Sequence, residues 1–274
     1  MSKLFLSNLE YVTLRLVRRF LFPTDLQRVG RYLPFYRTNL TEVQPEAVCE
    51  LYRAWLAQSS RSVEAKRIVE VGSGSTNGAG YALVCTGASQ VWCVEPYVDF
   101  DPELDVMLLT KITSEKHRDP EPVAAAVCRC ASIASVGSGQ ADLIVSHSVL
   151  EHLHQPAVAF SQMKSCLSKG GAMLHVVDYR DHFFKYPLHF LQFSRKTWRR
   201  FLDPGDLPRW RLADHVTALE QSGFRVQVLH REEDPRAFDR IRTRISADFD
   251  AADPSIGVLH AVLLCVHQDP PQGT

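Results

Sequence analysis

The residues best suited to chemistry in this chain are a run of glycines flanked by carboxylates, with a scatter of histidines further on. Glu70-Val71-Gly72-Ser73-Gly74-Ser75-Thr76-Asn77-Gly78 follows directly on Arg67-Ile68-Val69, a buried-strand signal. Glycine has no Cβ and tolerates positive φ. Gly72, Gly74 and Gly78 therefore allow a sharp turn that presses main-chain N–H groups against a ligand at the start of the next helix. The interval is G-x-G-x-x-x-G, whereas the dinucleotide fingerprint G-x-G-x-x-G needs glycine where Asn77 stands. A second apolar segment, Val91-Trp92-Cys93-Val94, ends in Glu95. This lies about 20 residues past the glycines, where a carboxylate can accept hydrogen bonds from both hydroxyls of a ribose. Acid–base candidates come later: His147 and His152 after one apolar segment, Asp178 and His182 after the next.

Together these residues resemble the nucleoside-binding half of the class I S-adenosylmethionine-dependent methyltransferases. In that family an E/D-x-G-x-G-x-x-x-G loop holds the amino-acid end of the cofactor and an acidic strand end holds the ribose. Segments 141–153 and 170–177 resemble the family's fourth and fifth strands, and the likeness runs from about Arg67 to Val266. The fold implied is α/β: a Rossmann-like, seven-stranded, mostly parallel sheet with an antiparallel last strand and helices on both faces. The cofactor implied is S-adenosyl-L-methionine, with S-adenosyl-L-homocysteine as product. By the same resemblance Glu70 and the loop Gly72-Ser73-Gly74, closed by Gly78, surround the methionine portion. Glu95 meets the ribose, Pro96 and Tyr97 border the adenine, and Ser146 lies beside the sulfonium with His147 on the cofactor side. The family often carries an acid after strand three to meet the adenine amino group. Here the chain has Cys130, Ala131 and Ser132, so either Ser132 substitutes or the third strand lies elsewhere.

Methyl transfer from a sulfonium needs in-line positioning and exclusion of water, because the leaving group is already activated. A hydroxyl acceptor also needs a general base, whereas an amine need only be held unprotonated. Asp178-Tyr179-Arg180-Asp181-His182 is the richest cluster, since a carboxylate beside an imidazole fixes its tautomer and raises its basicity. His182 is the expected base, Asp178 its partner, and His152 a further candidate whose plainer role is to begin a helix together with Glu151. The reading is transfer of a methyl group to an oxygen, less readily a nitrogen or carbon, of a small organic acceptor. Two alternatives are an NAD(P)-dependent Rossmann oxidoreductase and a methyltransferase-like regulatory protein that binds the cofactor without catalysis.

These groups need a scaffold. Residues 4–22 read as a basic amphipathic helix, with Leu6, Leu9, Val12, Leu16 and Phe20 on one side, ended by Pro23. The preferred reading is a lid helix whose apolar face covers the cofactor domain, ahead of a helix lying on an anionic membrane surface. An aromatic stretch around Tyr32-Tyr36 and a helix over 45–57 follow. The domain reading is therefore a helical N-terminal cap, 1–62, and a methyltransferase domain, 63–274. Helical spacing recurs over 104–112 and 156–167, and Lys169-Gly170-Gly171 stops the latter before the fifth strand. Segment 123–130 suits a third strand, although Ala124-Ala125-Ala126 suits a helix equally. An aromatic insert over 181–211 reads as a lid, 214–223 as a helix, and 224–229 with 258–266 as the closing strands.

Composition narrows the class. The chain has 274 residues and zero formal net charge, which argues against nucleic acid as the main partner. Seven cysteines, mostly in apolar runs, suit a reduced cytosolic protein, and Cys128-Arg129-Cys130 lacks the second pair that a zinc site needs. No metal is expected. No apolar run approaches the ~18 residues needed to span a bilayer, so a cytoplasmic location follows.

Overall fold

Long apolar runs bounded by turns build the sheet. A computed structural model describes residues 3–21, 44–181, 186–203, 205 and 207–268. The strands are β1 (Arg67–Val71), β2 (Gln90–Val94), β3 (Val127–Cys130), β4 (Ala141–His147), β5 (Leu167–Asp178), β6 (Phe224–Glu233) and β7 (Val258–His267). They form one seven-stranded sheet in the order β3-β2-β1-β4-β5-β7-β6. Pairing is parallel from β3 through β5, with antiparallel pairing confined to the last strands, as the sequence implied. The order reverses between β1 and β4, the switch point at which open α/β sheets bind ligands beyond the carboxyl ends of their strands. Val71 pairs with Val94 on one side and Ser146 on the other. The residues that follow, Gly72, Glu95 and His147, are thereby brought to one edge.

The chain divides into two units, one over 43–177, 216–230 and 262–274, the other over 1–42, 178–215 and 231–261. In the first, helices α2 (Pro45–Gln58), α3 (Gly78–Cys85) and α4 (Pro102–Glu115) pack on the sheet. Tyr52, Leu56, Leu83 and Ile112 share a core with Val91, Leu143 and Leu174. Helix 45–58 thus shares the sheet's core. Helix α5 (Pro120–Ala125) occupies the start of the segment expected to be strand three. Asp119 caps it, and β3 begins only at Val127. The alanines follow their helical propensity and the β-branched Val127 opens the strand. Helix α6 (Pro156–Cys166) leads into β5, and α7 (Leu212–Gln221) into β6.

The second unit has its own aromatic core, in which Tyr11, Tyr186, Phe190, Trp198, Ile241 and Ile256 are buried together. The aromatic insert supplies three of these. The helix α8 (Pro235–Ile241), which carried no clear sequence signal, supplies Ile241. Arg211, fully buried, donates to the carbonyls of Tyr179, Ile256 and Val258. Arg209 donates to those of Phe190 and Phe193. Helix α1 (Lys3–Leu21) splits the expected apolar face, with Val12 and Leu16 packed against this core. Tyr11 and Arg15 are buried at 0% and 1% exposure, whereas Leu6, Leu9 and Phe20 are 53%, 57% and 61% exposed. Both buried residues are drawn in by Asp181, which bonds to the Tyr11 hydroxyl and forms an ion pair with Arg15.

Candidate active site

The glycine loop after β1 divides its labour. Gly72 has φ +83°, and a Cβ there would sit 2.3 Å from Val149 Cγ2. Its N–H donates to Val94 O at 2.8 Å, so this residue welds the turn to β2 and to the segment after β4. Gly74 has φ +67°, but a Cβ there would meet nothing within 4 Å. Its bareness leaves open space beside a main chain whose N–H is given to Glu95 and whose carbonyl accepts from Arg129. Gly78 is different again: its backbone is helical, and a Cβ would run into Pro45 Cγ at 2.6 Å. Gly80, which sequence reasoning passed over, stands 2.6 Å from Cys93 Sγ by the same measure. These last two glycines serve close helix packing rather than ligand approach.

Glu95 follows β2 and is held by three amides. Its Oε2 accepts from Gly74 N at 3.1 Å, and its Oε1 from Tyr97 N at 2.9 Å and Val98 N at 3.2 Å. A carboxylate has about four lone-pair sites, so acceptor capacity for hydroxyls remains. Beyond it Tyr97, Val98 and Phe100 are exposed at 89%, 42% and 42%, an apolar surface suited to a flat base. Two residues missed in the sequence complete the frame. Arg129 of β3 donates to Gly74 O at 2.6 Å and Thr76 O at 3.3 Å, and lies 4.9 Å over the Phe100 ring. Asp105 of α4 accepts from Asn77 N and the Tyr81 hydroxyl, each at 2.6 Å, placing a carboxylate at the amino end of α3. The Cys128-Arg129-Cys130 triplet held the Arg129 signal, read there only for its thiols.

Glu70 is 4% exposed. Burial lifts its carboxyl to about 7, against the weaker opposing pull of the Cys93 thiol, 3.7 Å away, and of Arg129. It is a group poised to change charge near neutrality. Ser146 pairs with Val71, one residue from Gly72. Its hydroxyl, however, is fully buried and bonded to His175 Nδ1 at 2.8 Å, so its side chain is committed to the interior rather than to the edge of the loop. Burial lowers His175 to about 3 and keeps it neutral. Ser132 caps the turn Ile133–Val136 through Ala134 N at 3.1 Å, and β3 ends at Cys130, which puts Ser132 just beyond the strand end. Pro96 is exposed. After His147 the backbone is strained: Ser148 has φ +54° and donates its N–H to Val176 O at 2.8 Å. Left-handed backbone in a non-glycine residue costs on the order of 1–3 kcal/mol and gathers at functional sites. His152 closes the single turn Leu150–His152, beside the buried Glu151.

In the other unit Asp178, the last residue of β5, is tied to Arg180. Arg180 donates through its backbone N at 2.9 Å, Nε at 3.0 Å and an Nη at 2.7 Å. Burial alone would raise this carboxyl, but the hydrogen bonds and charge of Arg180 bring it below its ordinary value. Its imidazole neighbour is His260 of β7, with Nε2 3.6 Å from Oδ1. Asp181 belongs to Arg15 and Tyr11. His182 lies outside the described residues.

These residues can be tested for their fit to an adenosyl sulfonium. The space in front of Gly74, the oriented Glu95 and the apolar strip 97–100 suit a ribose and a base. Ser73 Oγ is buried with no hydrogen-bond partner among the described residues, an unused polar atom within the loop. The residues fit. A profile of the methyltransferase domain family matches residues 41–228. The chain belongs to the class I S-adenosylmethionine-dependent methyltransferases. Among solved structures this methyltransferase is similar to the phosphoethanolamine N-methyltransferase 2 of Haemonchus contortus. That match has TM-score 0.54 and 16% identity, covering 92% of this chain and 60% of that one. It is also similar to a candidate sarcosine dimethylglycine methyltransferase of Galdieria sulphuraria, with TM-score 0.50, 14% identity, and 81% and 86% of the two chains covered. At such identities the likeness concerns the fold. No curated protein matches the methyltransferase in sequence. The NAD(P) oxidoreductase alternative is set aside by the family.

Proposed function

We propose that this methyltransferase acts on an oxygen of a small organic acceptor, with base catalysis. Bound S-adenosylmethionine supplies an electrophilic methyl group on a positively charged sulfur. Glu70, Ser73 and the main-chain carbonyls of Gly72 and Gly74 hold its amino-acid end, Glu95 its ribose, and Pro96 and Ser132 the surroundings of its base. Gly78 sets the start of α3, and the main chain of Ser146 and His147 borders the loop. In the ionised state Glu70 complements an ammonium group, and Arg129 keeps the loop from opening.

The observation that carries the choice of oxygen is the carboxylate at the end of β5. An ionised carboxylate at this strand end is a device for holding an imidazole in one tautomer and raising its basicity. An amine acceptor has no need of it. His182, four residues along the chain, is the proposed base, with Asp178 orienting and His152 a second candidate. Arg180 holds Asp178 ionised, which makes that carboxylate a poor base and a good orienting group.

A panel of phenols, alcohols, amines and carboxylic acids, assayed with methyl-labelled cofactor, tests the reading. Methylation of hydroxyls, a rate that rises with an apparent pKa near 6–7, and loss of that limb in His182→Ala would support it. Transfer to amines only, or a His182→Ala variant with unchanged pH profile, would overturn it.

A further inference from the structure

The exposed face of α1 carries an apolar stripe interrupted by Thr13. Leu6, Leu9, Thr13, Val17 and Phe20 follow at intervals of three and four, which aligns them along one side of a helix. Every one is outward: Val17 is 37% exposed, and Leu6, Leu9 and Phe20 more than half. The opposite side is fastened by Tyr11 and Arg15, by Asn8 to Gln192 at 3.0 Å, and by Ser7 to His189 at 3.1 Å. These bonds hold the helix down, with Val12 and Leu16 packed beside them, while the stripe faces out.

The helical stretch 195–202 packs on α1 within the same unit. Arg15 lies 4.9 Å over the Trp198 ring, and Arg19 donates to Asp203 O. The stretch presents Arg195, Lys196, Arg199 and Arg200, all exposed. None of these four side chains has an ion-pair partner among the described residues. Asp248, the nearby acid, accepts from the backbone N of Arg195. Phe201, 42% exposed, sits 5.2 Å under the Arg200 guanidinium.

We propose that this part of the methyltransferase docks on an anionic lipid bilayer, with the stripe of α1 entering the headgroup–acyl boundary and the four cations meeting lipid phosphates and carboxylates. An apolar face alone would serve several occupants. The cationic cluster selects among them, because a twofold pairing of two copies would set like charges near one another, whereas a bilayer rich in acidic lipids complements both features. Insertion is shallow: among the described residues no helix is long and apolar enough to cross a membrane.

Co-sedimentation of the full chain with vesicles tests this, using phosphatidylcholine alone and phosphatidylcholine mixed with phosphatidylglycerol. The chain should bind the mixed vesicles at least ~10-fold more tightly than the neutral ones, and raised salt should release it. Leu9→Gln/Phe20→Gln should abolish binding, and Arg199→Glu/Arg200→Glu should remove the preference for acidic lipid. Both variants should retain wild-type melting temperature and cofactor affinity, since all four positions are exposed. Wild-type protein that stays in the supernatant at saturating acidic lipid overturns the proposal, as does a Leu9→Gln/Phe20→Gln variant that still pellets. Light scattering that reports a dimer dissociated by Leu9→Gln/Phe20→Gln, with no vesicle binding, assigns the stripe to a second copy instead.

Discussion

Glu70 shows how a residue's place changes its chemistry. A carboxyl at about 7 is roughly half protonated at neutral pH, and an ammonium group beside it would favour the ionised form. Cofactor binding at pH 7 should therefore release ~0.5 proton. Calorimetry in buffers of different ionisation enthalpy reads this directly, and Glu70→Gln should abolish the release while weakening affinity. Gly72 and Gly74 separate in the same way. Gly72→Ala meets both strained backbone and Val149, and should cost about 2–4 kcal/mol of stability in urea unfolding. Gly74→Ala has only the backbone term, about 1 kcal/mol, but places a methyl in the open space. Its larger effect should be a drop of at least ~10-fold in cofactor affinity, about 1.4 kcal/mol. Glu95→Ala should weaken cofactor binding by about 1–3 kcal/mol through lost hydrogen bonds, and calorimetry showing unchanged affinity would remove Glu95 from the ribose site.

Among the elements, α1 is anchored by a buried ion pair as well as by apolar packing. Asp181 is buried against Arg15 and Tyr11, and removing it takes this carboxylate away from a buried guanidinium. Asp181→Ala should destabilise the unit by about 3–5 kcal/mol, visible as a lowered melting temperature and faster proteolysis within α1. An unaltered melting temperature would mean that the ion pair does not anchor the helix. The same elements show what can be read locally. Strands β1 and β4 and the glycine loop were legible because dense β-branched runs and glycine spacing are local signals. The start of β3 was not, since an alanine run fits two states until Asp119 caps one of them. Arg129 and Asp105 were invisible as loop supports because their partners lie 55 and 28 residues away in sequence.

Across the whole molecule, two buried groups shape stability against pH in opposite senses. Glu70 binds its proton more tightly when folded, so its contribution is complete below about 4.5 and fades as pH rises through about 7, by at most ~3 kcal/mol. His175 is held neutral to about 3 against an ordinary 6.5, so its contribution is complete above 6.5 and is lost on acidification, by at most ~5 kcal/mol. Unfolding midpoints in urea should rise slightly from pH 8 to 6.5 and then fall on acidification, because His189, lowered by burial to about 4, adds to the loss from His175. His175→Phe should shallow the acid limb, and a limb of unchanged slope would exclude this imidazole as its source.

The chain's order of strands and helices determined the α/β class, the position of the glycine turn and the acid that follows β2, because each is written in neighbouring residues. Only the tertiary structure decided the rest: that Glu70 is buried enough to hold a proton near neutrality, that Ser146 is spent on His175, and that Asp178 answers to Arg180. It also decided which side of α1 turns inward. A helical pattern records that two faces differ, but which one is buried depends on what waits opposite, and here a carboxylate from a residue 166 positions away waits for an arginine.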